Sequence, residues 1–147
     1  MKKFALLVVA GLFSLSSVAQ EAGAAKESGI KFFHGTLGEA LKEAAKQKKI
    51  LFVDAYASWC GPCRWMANNV FTQEEVGKFY NEKFVNYKFD MEKGEGPVFA
   101  GNYKVTAYPT FIYLDNKGNV KYRTLGARSA EEFISEGKKA LAASQPN

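Results

Sequence analysis

Ile50-Leu51-Phe52-Val53-Asp54-Ala55-Tyr56-Ala57-Ser58-Trp59-Cys60-Gly61-Pro62-Cys63 is the stretch whose reading decides the fold. Its first four residues form a continuous apolar run, the pattern of a strand buried on both faces of a sheet. Its end carries Pro62, which suits the first turn of a helix because that turn leaves its N–H groups unpaired anyway. A buried strand therefore delivers Cys60 to a helix start. Free backbone amides and the helix dipole there favour the thiolate, the form that attacks a disulfide. Two intervening residues place Cys63 one turn on, within reach of Cys60 and pointing back into the helix. The expectation is an exposed attacker, Cys60, a shielded resolver, Cys63, and Trp59 as apolar cover beside the attacking sulfur. Haem attachment would require a His after the second Cys, where the chain has Arg64. With 2 Cys and 1 His in the chain, a four-ligand Cys/His zinc site is excluded. His34 reads as a surface residue near a strand end. A purely structural disulfide is the alternative to a redox-active one, although so short a loop would constrain the unfolded chain little.

Outward from this segment the chain alternates. Ile30 to His34 reads as a short first strand. Thr36-Leu37-Gly38-Glu39 is a capping box, followed at helical spacing by Leu37, Ala40, Leu41, Ala44 and Ala45. Lys46, Lys48 and Lys49 close that helix, where its dipole favours cations. Beyond the helix that Cys60 opens, Thr72-Gln73-Glu74-Glu75 reads as a second capping box, with Val76, Phe79 and Tyr80 behind it. Phe84 to Asp90 alternates Val85, Tyr87 and Phe89 with Asn86, Lys88 and Asp90, which predicts a half-buried strand. Gly96-Pro97 opens a short helix through Phe99 and Tyr103. Thr110 to Leu114 and Val120 to Thr124 flank a turn at Asp115-Asn116-Lys117-Gly118. Ser129-Ala130-Glu131-Glu132 is a third capping box, starting a last helix with Phe133, Ile134, Gly137 and Leu141 inward. The class is α/β: a central mixed sheet flanked by helices, closed by an antiparallel hairpin and a C-terminal helix.

The 147 residues, 47% apolar and 24% charged, fit one domain of ordinary composition and exclude a disordered, collagen-like or multi-span chain. Met1-Lys2-Lys3, the apolar run Phe4 to Leu15, and Ser17-Val18-Ala19 before Gln20 have the layout of a secretory signal peptide. The expected organisation is a signal at 1–19 cleaved near Ala19, a flexible leader at 20–29 and one domain at 30–147. An uncleaved membrane anchor is the alternative. Without its first 19 residues the net charge falls from +5 to +3, too little and too scattered to argue nucleic-acid binding. The short Lys-Lys n-region looks bacterial, so the expected location is the periplasm or another exported, oxidising compartment.

Val53 to Met66 resembles the active-site segment of the thioredoxin family, and the similarity runs from about Ile30 to Ala142. It implies the thioredoxin fold and no cofactor or metal. It implies that Asp54 is the family's buried Asp and Lys88 the Lys beside it. Asp54 would then accept a proton when Cys63 is activated, and Lys88 would moderate its proton affinity. Ala107-Tyr108-Pro109-Thr110 looks like the family's cis-proline loop, and Leu125-Gly126-Ala127 like the glycine segment beside the peptide groove. Trp59, Tyr108, Pro109 and Gly126 are accordingly the expected client-binding residues, with Gly61 and Pro62 tuning the redox pair. Tyr56 stands where cytosolic thioredoxins usually carry Trp, and Tyr108 where a small aliphatic residue is usual. Lys93-Gly94-Glu95-Gly96 looks like a small insertion. These departures point to an exported relative. Asp54 to Val76 is also similar to the domain that ends the membrane-embedded electron-relay reductases of bacterial envelopes.

The expected function is an exported thiol–disulfide oxidoreductase that reduces protein disulfides. Its expected partners are protein clients and a membrane thiol relay as electron donor, and the expected state is a monomer. A peptide-binding or chaperone-like module with little redox turnover is the alternative. Client identity and a role in cytochrome maturation stay open.

Overall fold

The structure, a computed structural model, describes residues 28–145. The expected signal segment and most of the leader lie outside them. The elements run α1 (Leu37–Lys46), β1 (Ile50–Tyr56), α2 (Gly61–Asn69), α3 (Glu74–Lys83), β2 (Phe84–Asp90), α4 (Gly96–Asn102), β3 (Thr110–Leu114), β4 (Val120–Leu125) and α5 (Ala130–Ser144). The strand order is β2-β1-β3-β4. β1 lies parallel to β2 and antiparallel to β3, and β3 and β4 form the closing hairpin. This is the thioredoxin fold, with its mixed sheet between two helical layers.

Side chains alternate across a strand, and that alternation divides the core in two. Leu51, Val53, Ala55, Val85, Ile112 and Leu114 pack with Ala40 and Ala44 of α1 and Phe99 of α4. On the other face, Phe52, Phe84, Phe111 and Tyr113 meet Met66 of α2, Tyr80 of α3 and Phe133 of α5. The Phe52 ring lies 5.1 Å from Tyr80 and 5.6 Å from Phe133 in edge-to-face contact, an arrangement that the ring quadrupoles favour. The Tyr80 hydroxyl donates to the Phe133 carbonyl at 2.8 Å and lies 2.8 Å from the Tyr113 hydroxyl, so its polar tip is satisfied inside the layer.

The capping boxes at Thr36 and Ser129 form as read. The one at Thr72 does not. Its hydroxyl donates to the Asn68 carbonyl at 3.0 Å, and Gln73 becomes the N-cap without a side-chain bond. The end of α2 is too close, and its unpaired carbonyls take the donor. The break at 70–73 leaves two helices between β1 and β2. Ala45 faces outward and is exposed, whereas Ala40 and Ala44 are buried.

Two strand expectations also change. Residues 30–34 form only one bridge, Phe32 to Asn86. Side-chain amides hold the segment in place of a ladder. Asn86 Nδ2 donates to Lys31 O, Asn81 Oδ1 accepts from Lys31 N, and Asn81 Nδ2 donates to Gly29 O. Gly29, read from composition as leader, is buried. β2 is buried on both faces from Phe84 to Tyr87, because this N-terminal segment covers the Asn86 side that alternation assigns to solvent.

Gly77 shows how tightly that segment sits. A Cβ there would lie 2.3 Å from the carbonyl carbon and oxygen of Gly29. Ala inside a helix is ordinarily better than Gly by up to about 1 kcal/mol. Overpacking of about 1–3 kcal/mol outweighs that gain here. Gly77→Ala is therefore expected to lower stability in urea unfolding and to speed amide exchange in residues 28–34; a stabilised variant would contradict this packing.

Candidate active site

β1 ends at Tyr56, and Ala57-Ser58-Trp59 carry the chain to Cys60, the N-cap of α2. Cys60 and Cys63 are joined in a disulfide, their Cα atoms 5.3 Å apart. The Cys63 amide donates to Cys60 Sγ at 3.2 Å. This is one of the free first-turn donors, and it lies on the sulfur that the sequence nominates as attacker. The expected contrast in exposure is absent from the closed form. Cys60 is 3% and Cys63 4% exposed, both packed with Ala57, Tyr56 and Tyr108. What separates the two sulfurs here is the helix-start bond.

The loop before the pair is braced from two sides. Arg64 reaches back from α2 to donate to the carbonyls of Ser58 and Trp59. Ser58 donates to Asp90 Oδ2 at 2.5 Å, and Lys93 Nζ donates to Ser58 Oγ at 2.8 Å. Trp59 is 65% exposed, yet it is tethered: its indole N–H donates to Glu92 Oε2 at 2.8 Å. Its ring stands edge-on to Tyr108 at 6.0 Å. Trp65 is exposed on α2.

The Tyr108–Pro109 bond is cis, as the resemblance implies. The Gly126 amide donates to the Pro109 carbonyl at 2.9 Å, and Gly126 has φ +90°, a backbone that glycine adopts without penalty. This bond joins the proline loop to the end of β4. The structure thus brings Trp59, Tyr108, Cys60 and Cys63 together, with Pro109 and Gly126 joined at the next loop.

Asp54 is 2% exposed and pairs in register with Lys88 on one side and Phe111 on the other. Lys88 Nζ lies 3.7 Å from Asp54 Oδ2, close enough for attraction but beyond hydrogen-bond reach. Asp54 Oδ1 is buried without a hydrogen-bond partner. Loss of hydration pushes the carboxyl pKa up to about 6, and the Lys88 ammonium opposes part of that rise. A small cavity of about 60 Å³ lies beside Lys88, lined also by Cys63, Tyr56, Arg64 and Ala67. Lys88 therefore touches both the carboxylate and the space bordering Cys63. Sequence reasoning missed Glu92, because a lone acid after a strand carries no periodic signal, and it gave Tyr56 no contact with Lys88.

A helix-start disulfide with a buried, proton-retaining carboxyl nearby is equipped for sulfur exchange: the chain is a thiol–disulfide oxidoreductase. Known proteins agree. A family model described as thioredoxin-like matches residues 33–116, more than half of the chain, and the chain belongs to that family. It is 40% identical over 93 residues to thioredoxin H5 of Arabidopsis thaliana, spanning 63% of this chain and 73% of that protein. A candidate disulphide-isomerase from Bacteroides thetaiotaomicron is 41% identical, with a TM-score of 0.71 over 81% of this chain and 98% of the other. The oxidised C-terminal domain of DsbD from Neisseria meningitidis is 25% identical, with a TM-score of 0.61 over 75% and 99%.

Asp54 carries a stability consequence. Its folded pKa, about 6, exceeds the ordinary value near 3.9, so the folded state holds the proton more tightly than the unfolded chain. The resulting contribution is intact below about pH 4 and is lost as pH rises through about 6. Asp54→Asn escapes this loss. Urea unfolding is expected to show a gain of about 3 kcal/mol at pH 8 and almost none at pH 3. Equal gains at both pH values would mean that the carboxyl is not destabilised by its burial.

Proposed function

We propose that this protein is an exported protein-disulfide reductase. The observation that carries the reading is the Cys60 sulfur at the N-cap of α2, accepting the Cys63 amide at 3.2 Å. A helix start stabilises a thiolate at Cys60 more than one buried a turn later. In the reduced protein the Cys60 thiolate attacks a client disulfide. The client S–S bond breaks, one client thiolate leaves, and a mixed disulfide forms. Asp54 then accepts the Cys63 proton. The Cys63 thiolate attacks the Cys60 sulfur, the mixed disulfide breaks, and the second client thiolate leaves. Two electrons have passed to the client, and the protein ends as the Cys60–Cys63 disulfide.

The Gly61-Pro62 pair supports the reducing direction. It is the dipeptide of reducing thioredoxins, whose potentials lie near about −270 mV against about −120 mV for a strong periplasmic oxidant. No His lies between the cysteines to stabilise the reduced form further. The N-terminal signal pattern supports export, and the similarity to a DsbD C-terminal domain supports a membrane thiol relay that recharges the dithiol. Protein disulfides are the substrate class, met across the Trp59–Tyr108 surface.

Trapping tests the reading. Cys63→Ser is expected to accumulate mixed disulfides with clients in the periplasm, and Cys60→Ser to accumulate none. The wild type with a supplied reductant is expected to reduce insulin, and brief alkylation of the dithiol to label Cys60 before Cys63. Client binding retained in Cys60→Ser without insulin reduction by the wild type would favour a binding module. A glutathione titration with a midpoint near the strong oxidant's would reverse the direction.

A further inference from the structure

Lys88 is held by more than Asp54. Its ammonium lies 4.6 Å from the centroid of the Tyr56 ring, 5.7 Å from that of Phe32 and 5.9 Å from that of Phe71. All three distances fall within the roughly 6 Å over which a ring face attracts a cation. The rings come from three separate places: the end of β1, the N-terminal segment and the α2–α3 junction. We propose that Tyr56, Phe32 and Phe71 form an aromatic cage holding the Lys88 ammonium beside Asp54 and the cavity lined by Cys63, with Tyr56 a positioning residue for proton transfer during resolution. The proposal rests on the reductase cycle above and adds the group that sets its proton balance.

The geometry requires such a holder. At 3.7 Å no hydrogen bond locks Lys88 to Asp54, and a four-carbon stem that is 31% exposed would otherwise let the ammonium swing into water. Tyr56 lies two residues beyond Asp54 on β1, so both side chains project from the same face of the sheet. Its ring is the nearest of the three to the ammonium, and it also walls the cavity of about 60 Å³ that Cys63 borders. That volume exceeds the roughly 10–15 Å³ that one water needs, so one water fits in the space that both Cys63 and Lys88 border. The charged and titratable groups that line this space are Lys88 from β2, Tyr56 from β1, and Cys63 and Arg64 from α2; Asp90 of β2, Asp54 of β1 and Lys93 act on the Tyr56 hydroxyl. β3 presents Phe111 at the Asp54 register position. Lys88 is the cation that opposes protonation of Asp54. Releasing it makes Asp54 keep its proton to higher pH, which leaves less carboxylate to accept one from Cys63. The attraction belongs to the ring and not to the hydroxyl, so Phe serves at position 56 and Leu does not.

The test is a carbon-13 NMR titration of the Asp54 carboxyl in the oxidised full chain, paired with stopped-flow resolution kinetics across pH. Tyr56→Leu is expected to raise the Asp54 midpoint by about half to one pH unit and to slow resolution about two- to fivefold at pH 6, with recovery at pH 9. Tyr56→Phe is expected to match the wild type. In a Lys88→Met background, Tyr56→Leu is expected to add nothing, because the ring acts through the ammonium. Phe32→Leu, on another wall of the cage, is the second variant if Tyr56→Leu does not fold, with a smaller shift of the same sign. An unmoved midpoint in both ring variants, or a shift that persists in Lys88→Met, would overturn the cage. A moved midpoint with unchanged resolution at every pH would overturn its positioning role. Failure of the wild type to reduce insulin would count against the reductase reading and leave the titration result intact.

Discussion

β1 is paired along both edges, parallel to β2 and antiparallel to β3, and Leu51 to Ala55 are buried. A strand enclosed on every side cannot shift register without turning its apolar set inside out. Its end is therefore a fixed point. The short loop from Tyr56 to Cys60 inherits that rigidity, and so does the start of α2. The same enclosure places one carboxylate, Asp54, where water cannot reach it. Both the orientation of the sulfur and the proton affinity of Asp54 follow from the central position of this strand.

The surroundings of Cys60 and of Asp54 are tuned in opposite senses. The N-terminus of α2 offers amides and a positive dipole, so it favours negative charge on Cys60. The interior around Asp54 offers little solvation, so it disfavours negative charge there. In the proposed cycle, such separated proton affinities let Cys60 attack while Asp54 receives a proton at the same pH. Lys88 stands between these regimes. A bare buried carboxylate would be costly, and a fully neutralised one would be a poor acceptor; an ammonium at 3.7 Å gives an intermediate condition.

The polar contacts outside the dithiol serve its placement. Asn81 and Asn86 hold residues 29–31 against β2 with side-chain amides, and this segment carries Phe32 to Lys88. Ser58, Asp90 and Lys93 fasten the loop before Cys60 to the end of β2. Glu92 limits the freedom of an otherwise exposed Trp59. The Trp59–Tyr108 surface thus has its orientation set by fixed contacts.

Local chemistry was legible in the sequence wherever it repeats at a short, regular interval. The apolar run at 50–53, the Pro after Cys60, the boxes at Thr36 and Ser129, and the turn at Asp115 to Gly118 all rest on neighbours within a few residues, and each forms. The family resemblance, carried by Val53 to Met66 and by the segments around Lys88, Pro109 and Gly126, implied Lys88 beside Asp54 and a cis bond before Pro109, and both are present. Tertiary contact decided the remainder. Thr72 lost its capping role to a carbonyl of the preceding helix, and Asn86 was buried by a segment more than fifty residues away in the chain. Cys60 is buried against Tyr56 and Tyr108, which its position at a helix start does not foretell. The bond from Glu92 to Trp59 and the three rings around Lys88 join residues with no periodic relation. Such contacts arise only when the sheet brings distant segments together, because packing and desolvation depend on what is near in space, while propensity and capping depend on what is near in the chain.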